Sequence, residues 1–320
     1  MNPLVSVIVP AYKVEDRLVR CLDSLRRQSM KEIEVVLVDD ASPDHCGEIC
    51  EAYARKDVRF KVIHHKENRG LSVARNTGIK AATAVYLMFL DGDDEVHTDF
   101  CKAAYDCAVQ NHSDLVMFRH KEVKYNCIAN IGDKSISGFA SGNISKEEAL
   151  DLMQGAIGQV AWNKLYHKNL FSDISFPQGF LYEDWGTTYK TVLKAKRIYY
   201  LDKVLYYHYQ RPGSIITFRN EKAVRDRYML MMQQYSALKN WGGYPAEKLD
   251  ALLQTIAMDY CIKRKRDVTD QDYVFCAGIL RACNAIPAHF NCSRKVLFLL
   301  FKHCFPLFEM SCLMWNKKYT

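Results

Sequence analysis

Val85-Tyr-Leu-Met-Phe-Leu-Asp-Gly-Asp-Asp94 is an apolar run that ends in three carboxylates, Asp91, Asp93 and Asp94. The run reads as a buried strand. Packing does not ask for acids at its end, because gathered carboxylates repel one another and are costly to desolvate without a cation or a donor network. Hard oxygen ligands on an open loop suit Mg²⁺ or Mn²⁺, which keep waters and bind a substrate diphosphate as well. The plain alternative is a turn, where Asp and Gly are common, and a D-x-D alone is weak. Its surroundings strengthen the metal reading.

Upstream, residues 4–9 (Leu-Val-Ser-Val-Ile-Val) form a short β-branched run stopped by Pro10, and Val14, Leu18, Cys21, Leu22 and Leu25 follow at helical spacing. A second buried strand, Ile33–Val38, ends at Asp39-Asp40. A helix begun near Pro43 continues through Ile49, Ala52, Tyr53 and Lys56. Phe60–Ile63 reads as a third strand, Gly70–Ala82 as a third helix and Val85–Leu90 as the fourth strand. Regular alternation with short connections predicts an α/β fold with a doubly wound, mainly parallel sheet. Such sheets bind ligands beyond the carboxyl ends of their strands. Here those ends are Pro10-Ala-Tyr12, Val38-Asp-Asp40, His64-His65 and Asp91-Gly-Asp-Asp94. Further on, 99–111 reads as a helix, 115–119 as a strand and 120–143 as a loop or hairpin excursion. Ser145-Lys-Glu-Glu148 has the capping-box pattern, and 158–215 is mixed and aromatic-rich. From Glu221 the spacing is helical, broken near Gly242-Gly243 and Pro287. The composition shift at 215–220 divides the chain into 1–218, whose halves are 1–95 and 96–218, and a helical region 219–320.

At 320 residues, 49% apolar and 25% charged, the chain can bury two cores. A net charge of +7 favours anionic partners. The one dense basic run, Lys263-Arg-Lys-Arg266, ends a helical pattern, so no nucleic-acid partner is expected. Twelve scattered cysteines without a C-x-x-C pair or zinc spacing, among them Cys21, Cys101, Cys107, Cys276 and Cys304, read as small buried hydrophobes in a reducing, cytoplasmic setting. Met-Asn-Pro runs straight into a strand with no signal peptide, and no apolar stretch is long enough to span a membrane.

Five separated motifs stand in order: Val7-Ile-Val-Pro-Ala-Tyr12, Val38-Asp-Asp-Ala-Ser-Pro-Asp44, Asn68-Arg-Gly-Leu-Ser-Val-Ala-Arg-Asn76, Asp91-Gly-Asp-Asp94 and Tyr182-Glu-Asp-Trp185. In these the chain resembles the family 2 glycosyltransferases, inverting enzymes with the GT-A fold, such as act on bacterial capsular and exopolysaccharides. The likeness is specific over 4–95, looser through Trp162-Asn-Lys164 to about 215, and uninformative beyond.

The resemblance implies a UDP-sugar donor held by Pro10, Ala11, Tyr12, Asp39, Asp40, Arg75, Asp91 and Gly92. Within that set Asp40 accepts the uracil N3–H, Tyr12 stacks on the ring and Arg75 reaches ring or diphosphate. The plain alternatives are a helix cap for Asp39-Asp40, a rim aromatic for Tyr12 and a surface ion pair for Arg75. Asp93, with Asp91, ligates Mn²⁺ or Mg²⁺. Asp94, His208, Arg211 and Ser214 hold the donor sugar or diphosphate. Asp184 is the base that deprotonates the acceptor hydroxyl, with Glu183 orienting groups beside it; two acids favoured by a helix dipole are the alternative. Trp162 and Lys164 line the site of a glycan or lipid-linked acceptor, although Trp162 also suits a core.

Residues 294–315 are apolar and aromatic with basic flanks, broken by Pro306. They suit an in-plane helix on an anionic membrane, peripheral to its inner face, as well as they suit packing on the protein or a second subunit. Two other functions are weighed. A nucleotidylyltransferase needs a Gly-rich loop where Pro10-Ala-Tyr-Lys13 stands. A catalytically weak membrane-associated scaffold or binding protein should have lost Asp93 or Asp184, and both are present. No G-x-G-x-x-G follows a strand, which disfavours a dehydrogenase.

Overall fold

The computed structural model describes residues 2–124, 140–210, 220–264 and 269–317. The chain forms two compact units, Met1–Arg211 and Pro212–Thr320.

The first unit begins with β1 (Val5–Ala11), α1 (Glu15–Arg26), β2 (Ile33–Asp39), α2 (Cys46–Lys56), β3 (Phe60–His64), α3 (Leu71–Ala81) and β4 (Tyr86–Phe89). Strands β3-β2-β1-β4 lie side by side and parallel. Every residue of β1 and β2 is buried, as continuous apolar runs covered on both faces should be. Helix α1 turns Leu18, Cys21, Leu22 and Leu25 inward, the spacing legible in the sequence.

There follow β5 (Glu95–Val96), α4 (Phe100–Gln110), β6 (Leu115–Lys124), β7 (Gly142–Ile144), α5 (Lys146–Gln154), β8 (Lys164–His167), α6 (Thr188–Lys194) and β9 (Ile198–Gln210). The sheet continues β4-β8-β6-β9-β5, with β7 also on β9. Parallel pairing is confined to β3-β2-β1-β4 and to β6 on β9. Strand β8 is antiparallel to both β4 and β6, and β5 and β7 are antiparallel to β9. The sheet is therefore mixed, because a strand from late in the unit is inserted between two earlier ones. Strand β6 continues past residue 119 to Lys124 against β9, with register shifts at Phe118/Arg119 and Arg119/His120. Of the loop or hairpin expected over 120–143, residues 125–139 lie outside the described residues and Gly142 begins β7. The capping box at α5 forms as its sequence predicts.

Two features fix the parallel half. Glu34 on β2 is buried, yet it accepts from Ser6 Oγ (2.5 Å), Thr83 N (2.5 Å) and Ala84 N (3.2 Å) and pairs with Lys61 (2.6 Å). Burial pushes its carboxyl up, but Lys61, Ser6 and Thr83 outweigh it and hold it at about 2. One side chain thus pins the α3–β4 connection to the sheet. At Gly78 a Cβ would lie 2.3 Å from Ile8 Cγ2, so α3 rests its backbone directly on β1.

The second unit is helical: α7 (Glu221–Trp241), α8 (Ala246–Lys263), α9 (Gln271–Ala282), α10 (Cys292–His303) and α11 (Phe305–Lys317). Asn220, Asp270 and Asn291 cap α7, α9 and α10 with their side chains. Gly242 ends α7 at φ 72°. The tail differs from a single in-plane helix. It is two helices that meet at Cys304-Phe305, with Pro306 in the first turn of α11, where a missing N–H costs nothing. Leu297, Phe298, Phe301, Phe308 and Cys312 are buried in this unit, while Val296, Leu299, Leu307, Met310 and Met314 are exposed. Arg294 is tied to Asp259 (2.7 Å) and Lys302 to the Arg281 carbonyl (3.0 Å). Part of the tail is therefore core. Among the described residues no helix is long and apolar enough to cross a membrane. The described cysteines are all free, and most are buried as expected, though Cys304 is only half-buried.

Two glycines give opposite expectations. Gly78→Ala drives a methyl into Ile8 and should lower stability by about 1–3 kcal/mol. Gly278→Ala, on the open side of α9 with nothing within 4 Å of its Cβ position, should raise it by about 0.5–1 kcal/mol. Denaturant titration of both variants measures this; equal effects would mean that α3 does not press on β1.

Candidate active site

The carboxyl ends of β1 and β2 are stitched together. Lys13 N donates to Ser42 Oγ (2.8 Å), and Asp40 N to the Ala11 carbonyl (3.1 Å). Lys13 and Ala41 both sit at positive φ, 54° and 52°, a strain that collects at functional sites. Pro10 and Ala11 are buried in this rim, and Tyr12 stands 38% exposed at its lip, open to a flat ligand. Gly92 closes on β1 so tightly that a Cβ would meet the Pro10 carbonyl at 3.0 Å. Its described role is this close approach.

Asp39 and Asp40 are each held by a histidine from the end of β3. His64 Nδ1 lies 2.8 Å from Asp39 Oδ2, and His65 Nδ1 lies 2.6 Å from Asp40 Oδ1. Asp40 also accepts Arg69 N (3.0 Å) and Gly70 N (2.7 Å). Both its oxygens are engaged, and it locks the entry to α3. Asp39 accepts Ser42 N at 3.0 Å.

Helix α3 then does something its sequence did not announce. Ser72, Arg75 and Asn76 share one helical face, and that face grips the segment before α6. Ser72 Oγ donates to the Pro177 carbonyl (2.6 Å), and Asn76 exchanges two bonds with Phe176 (2.8 and 2.9 Å). Arg75 was expected to reach the ring or the diphosphate. Instead it is 1% exposed, with Nη1 on Glu183 Oε1 (2.5 Å) and Asp184 Oδ1 (2.8 Å) and Nη2 on Asp91 Oδ1 (2.8 Å). Three carboxylates converge on one guanidinium. Glu183 and Asp184 lie in a 3-10 turn, Glu183–Gly186, entered through Tyr182 at φ 61°. The second Asp184 oxygen accepts Ala161 N at 3.2 Å. Burial pushes both acids up, Glu183 to about 7, against the pull of Arg75.

Asp94 is buried. Tyr206 Oη donates to its Oδ2 (2.7 Å) and Tyr209 N to its Oδ1 (2.7 Å). Burial, then the charges of Asp93 and Asp91, raise its carboxyl to about 8. Trp162 was expected to face an acceptor sugar. It is 4% exposed, and its ring stacks on Tyr206 at 4.1 Å and 15°, so it is wall rather than platform. Lys164 was likewise expected at the acceptor. It is fully buried, and its Nζ donates to the Val160 carbonyl (2.6 Å) and Asn163 Oδ1 (2.7 Å), with burial lowering it to about 7. It braces the loop that offers Ala161 N–H to Asp184. His208 stands beside Trp162 with Nδ1 on Glu122 at 2.9 Å. Arg211 and Ser214 lie outside the described residues.

Sequence reasoning missed Tyr206, Tyr209 and Glu122. For the two tyrosines the signal was present as alternation along β9, where Tyr206 and His208 fall on one face, but the aromatic-rich stretch was not resolved into a strand; Glu122 stands on β6, and its place opposite His208 is set by strand pairing.

The oxygen ligands at this rim are of the kind that holds a divalent cation. Asp91, Asp93, Asp94, Glu183 and Asp184 gather acids that Arg75 only partly offsets, and Asp94 is raised first by burial and then by the charges of its acidic neighbours. Asp91 and Asp93 are half-buried on the loop after β4. Among the described residues no three His, Cys, Asp or Glu side chains form a metal cage. The arrangement fits an ion that completes its shell with water and phosphate oxygens, as Mg²⁺ and Mn²⁺ do.

Residues 6–175 match the family described as Glycosyl transferase family 2. The chain is 35% identical to the glycosyltransferase GlyA of Streptococcus pneumoniae over 250 residues, 76% of this chain but 36% of GlyA. It is 34% identical over 247 residues to the uncharacterized glycosyltransferase EpsJ of Bacillus subtilis, 74% of this chain and 69% of EpsJ. The crystal structure of S. aureus TarS 1-349 in complex with UDP-GlcNAc superposes with a TM-score of 0.71 at 23% identity, covering 100% of this chain and 91% of that one. The mixed sheet with helices on both faces is the GT-A fold, and the chain belongs to glycosyl transferase family 2. It spans about a third of GlyA's length.

Replacing Arg75 by Met strands Asp91, Glu183 and Asp184 without a counter-charge. Stability should fall by about 3–5 kcal/mol, and Arg75→Lys should recover only part, since an ammonium lacks the fork that reaches both sides. Chemical denaturation checks this; an unchanged Arg75→Met chain would mean that the acids are neutralised by other groups.

Proposed function

We propose that the protein is an inverting glycosyltransferase that moves a sugar from a UDP-sugar to a glycan or lipid-linked acceptor in bacterial surface-polysaccharide synthesis, with Mn²⁺ or Mg²⁺. One observation carries the reading: Asp184 sits among the acids of the strand-end rim, fixed by Arg75 on one oxygen and by Ala161 N–H on the other. Each oxygen keeps a lone pair for an acceptor proton, and a raised carboxyl is the better base. Asp91, Asp93 and the exposed Tyr12 suit the donor, and the TarS structure with UDP-GlcNAc supports a uridine nucleotide. The chemistry a divalent cation supplies here is neutralisation of the departing diphosphate. Asp39 and Asp40 serve the base through the rim they hold in place. A nucleotidylyltransferase is disfavoured by the glycine-free loop after β1.

Asp184→Asn should lower kcat by about 10²-fold or more with UDP affinity nearly unchanged. Asp93→Asn should abolish both turnover and the Mn²⁺-dependent rise in melting temperature with UDP, and EDTA should silence the native chain until Mn²⁺ is restored. Turnover that survives EDTA removes the metal role. Loss of UDP binding in Asp184→Asn moves that residue to the donor pocket.

A lipid-linked acceptor accords with exposed Val296 and Leu299 on α10 and exposed Met310 and Met314 on α11, apolar side chains of the kind that insert shallowly beneath headgroups. Because Arg294 is tied to Asp259, apolar area outweighs charge. Vesicle sedimentation should therefore depend weakly on salt and be lost on Val296→Ser/Leu299→Ser/Met310→Ser, with the fold retained. Point substitutions are used because removing the tail would also remove buried Phe298, Phe301 and Phe308. A full chain that never sediments with anionic vesicles ends the membrane reading.

A further inference from the structure

Strands β6 and β9 run parallel with Glu122 opposite His208 and Lys124 opposite Gln210. Glu122 sits between two imidazoles. Its Oε2 lies 2.9 Å from His208 Nδ1 and accepts Gln210 Nε2 at 3.1 Å, while its Oε1 lies 3.5 Å from His120 Nε2. The His208 ring is held in plane from the other side, 5.5 Å from the Trp162 ring at 20°, and the edge of Trp162 is braced by His120 at 4.8 Å and 85°. The next residue, Tyr209, donates its N–H to Asp94. This strand therefore ties the imidazole to the acidic rim. None of these contacts is needed for the sheet, and a carboxylate opposite a histidine is more than packing asks.

We propose that Glu122 is a positioning residue that fixes the His208 imidazole through Nδ1 and leaves Nε2 as the ring nitrogen that meets the donor diphosphate. The inference rests on the UDP-sugar transfer proposed above, with His208 taken as a diphosphate-binding group. A carboxylate on one nitrogen sets the tautomer and orientation of the other. Burial works against the charged ring, but Glu122 on β6 and Asp94 and Asp91 after β4 outweigh it and hold His208 at about 9. The charged ring then donates Nδ1–H to Glu122 and keeps Nε2–H for a phosphate oxygen. With Arg75 and Lys164 committed to internal partners, His208 carries more of the positive charge open to a diphosphate. The flanking His120 opposes a loose carboxylate by holding the second oxygen.

The test uses the full chain labelled with ¹⁵N-histidine, with the His208 signals assigned by their loss in His208→Gln. In the native chain His208 should titrate near 9 with Nδ1 protonated. Glu122→Gln should lower that titration by about one unit or more and weaken Mn²⁺–UDP affinity at pH 8 by about tenfold. The deficit should shrink at pH 6, where the ring is charged without help. Combined with His208→Gln, Glu122→Gln should add nothing further. The inference alone is overturned if His208→Gln weakens UDP affinity while Glu122→Gln leaves both the titration and the affinity unchanged, or if the two effects add. If His208→Gln leaves UDP affinity intact, the reading of His208 fails and the inference with it. The ¹⁵N spectrum reports the fold of each variant directly.

Discussion

A single buried guanidinium carries the site. Arg75 meets Asp91 from the loop after β4 and Glu183 and Asp184 from the 3-10 turn before α6. One positive charge against three negative ones leaves a surplus in a place that water scarcely reaches. Such a cluster persists only where geometry is enforced from outside. The enforcement is traceable. Asp40 locks Arg69 and Gly70 at the entry to α3, Gly78 lets α3 lie on β1, and Ser72 and Asn76 hold the segment that leads to the acids. None of these contacts is between sequence neighbours, and together they place Asp184 with Asp91 at the end of β4.

Much of this was written plainly in the sequence. The four apolar runs of the parallel half, the helices between them and the acids at the strand ends follow from periodicity and from the cost of crowded carboxylates. Arg75 shows where that legibility stops. Its position on a helix was clear, but spacing alone could not say that the helix face pointed at residues 176–184 rather than at a ligand, because that partner lies about 100 residues away. Lys164 and Trp162 failed for a related reason. Both are residue types that suit a sugar, and their burial is decided by β8 slotting between β4 and β6, a pairing that no local pattern encodes. The tail likewise read as one amphipathic stretch until the contacts of Phe298, Phe301 and Phe308 divided it into a covered face and an open one.

The positive charge of the site is distributed unusually. Lys164 is buried, and burial lowers its ammonium to about 7; Arg75 is consumed by the acids; and, against burial, Glu122 and the acids after β4 raise His208. The rim therefore keeps a surplus of carboxylates around Arg75, and that charge belongs to the whole cluster rather than to any one side chain.

The strand order has one more consequence. The half that reads as nucleotide-binding ends at β4, yet the counterpart of its acid Asp91 arrives on α3, and the partners of that arginine arrive only at Glu183 and Asp184, after β8 has been threaded back beside β4. The two halves of the first unit are therefore not portable modules. Transplanted alone, residues 1–95 would carry Arg75 without two of its three acids and β4 without a neighbour on one side. Within this unit there is no seam at which the two halves could be cut without stranding a buried charge.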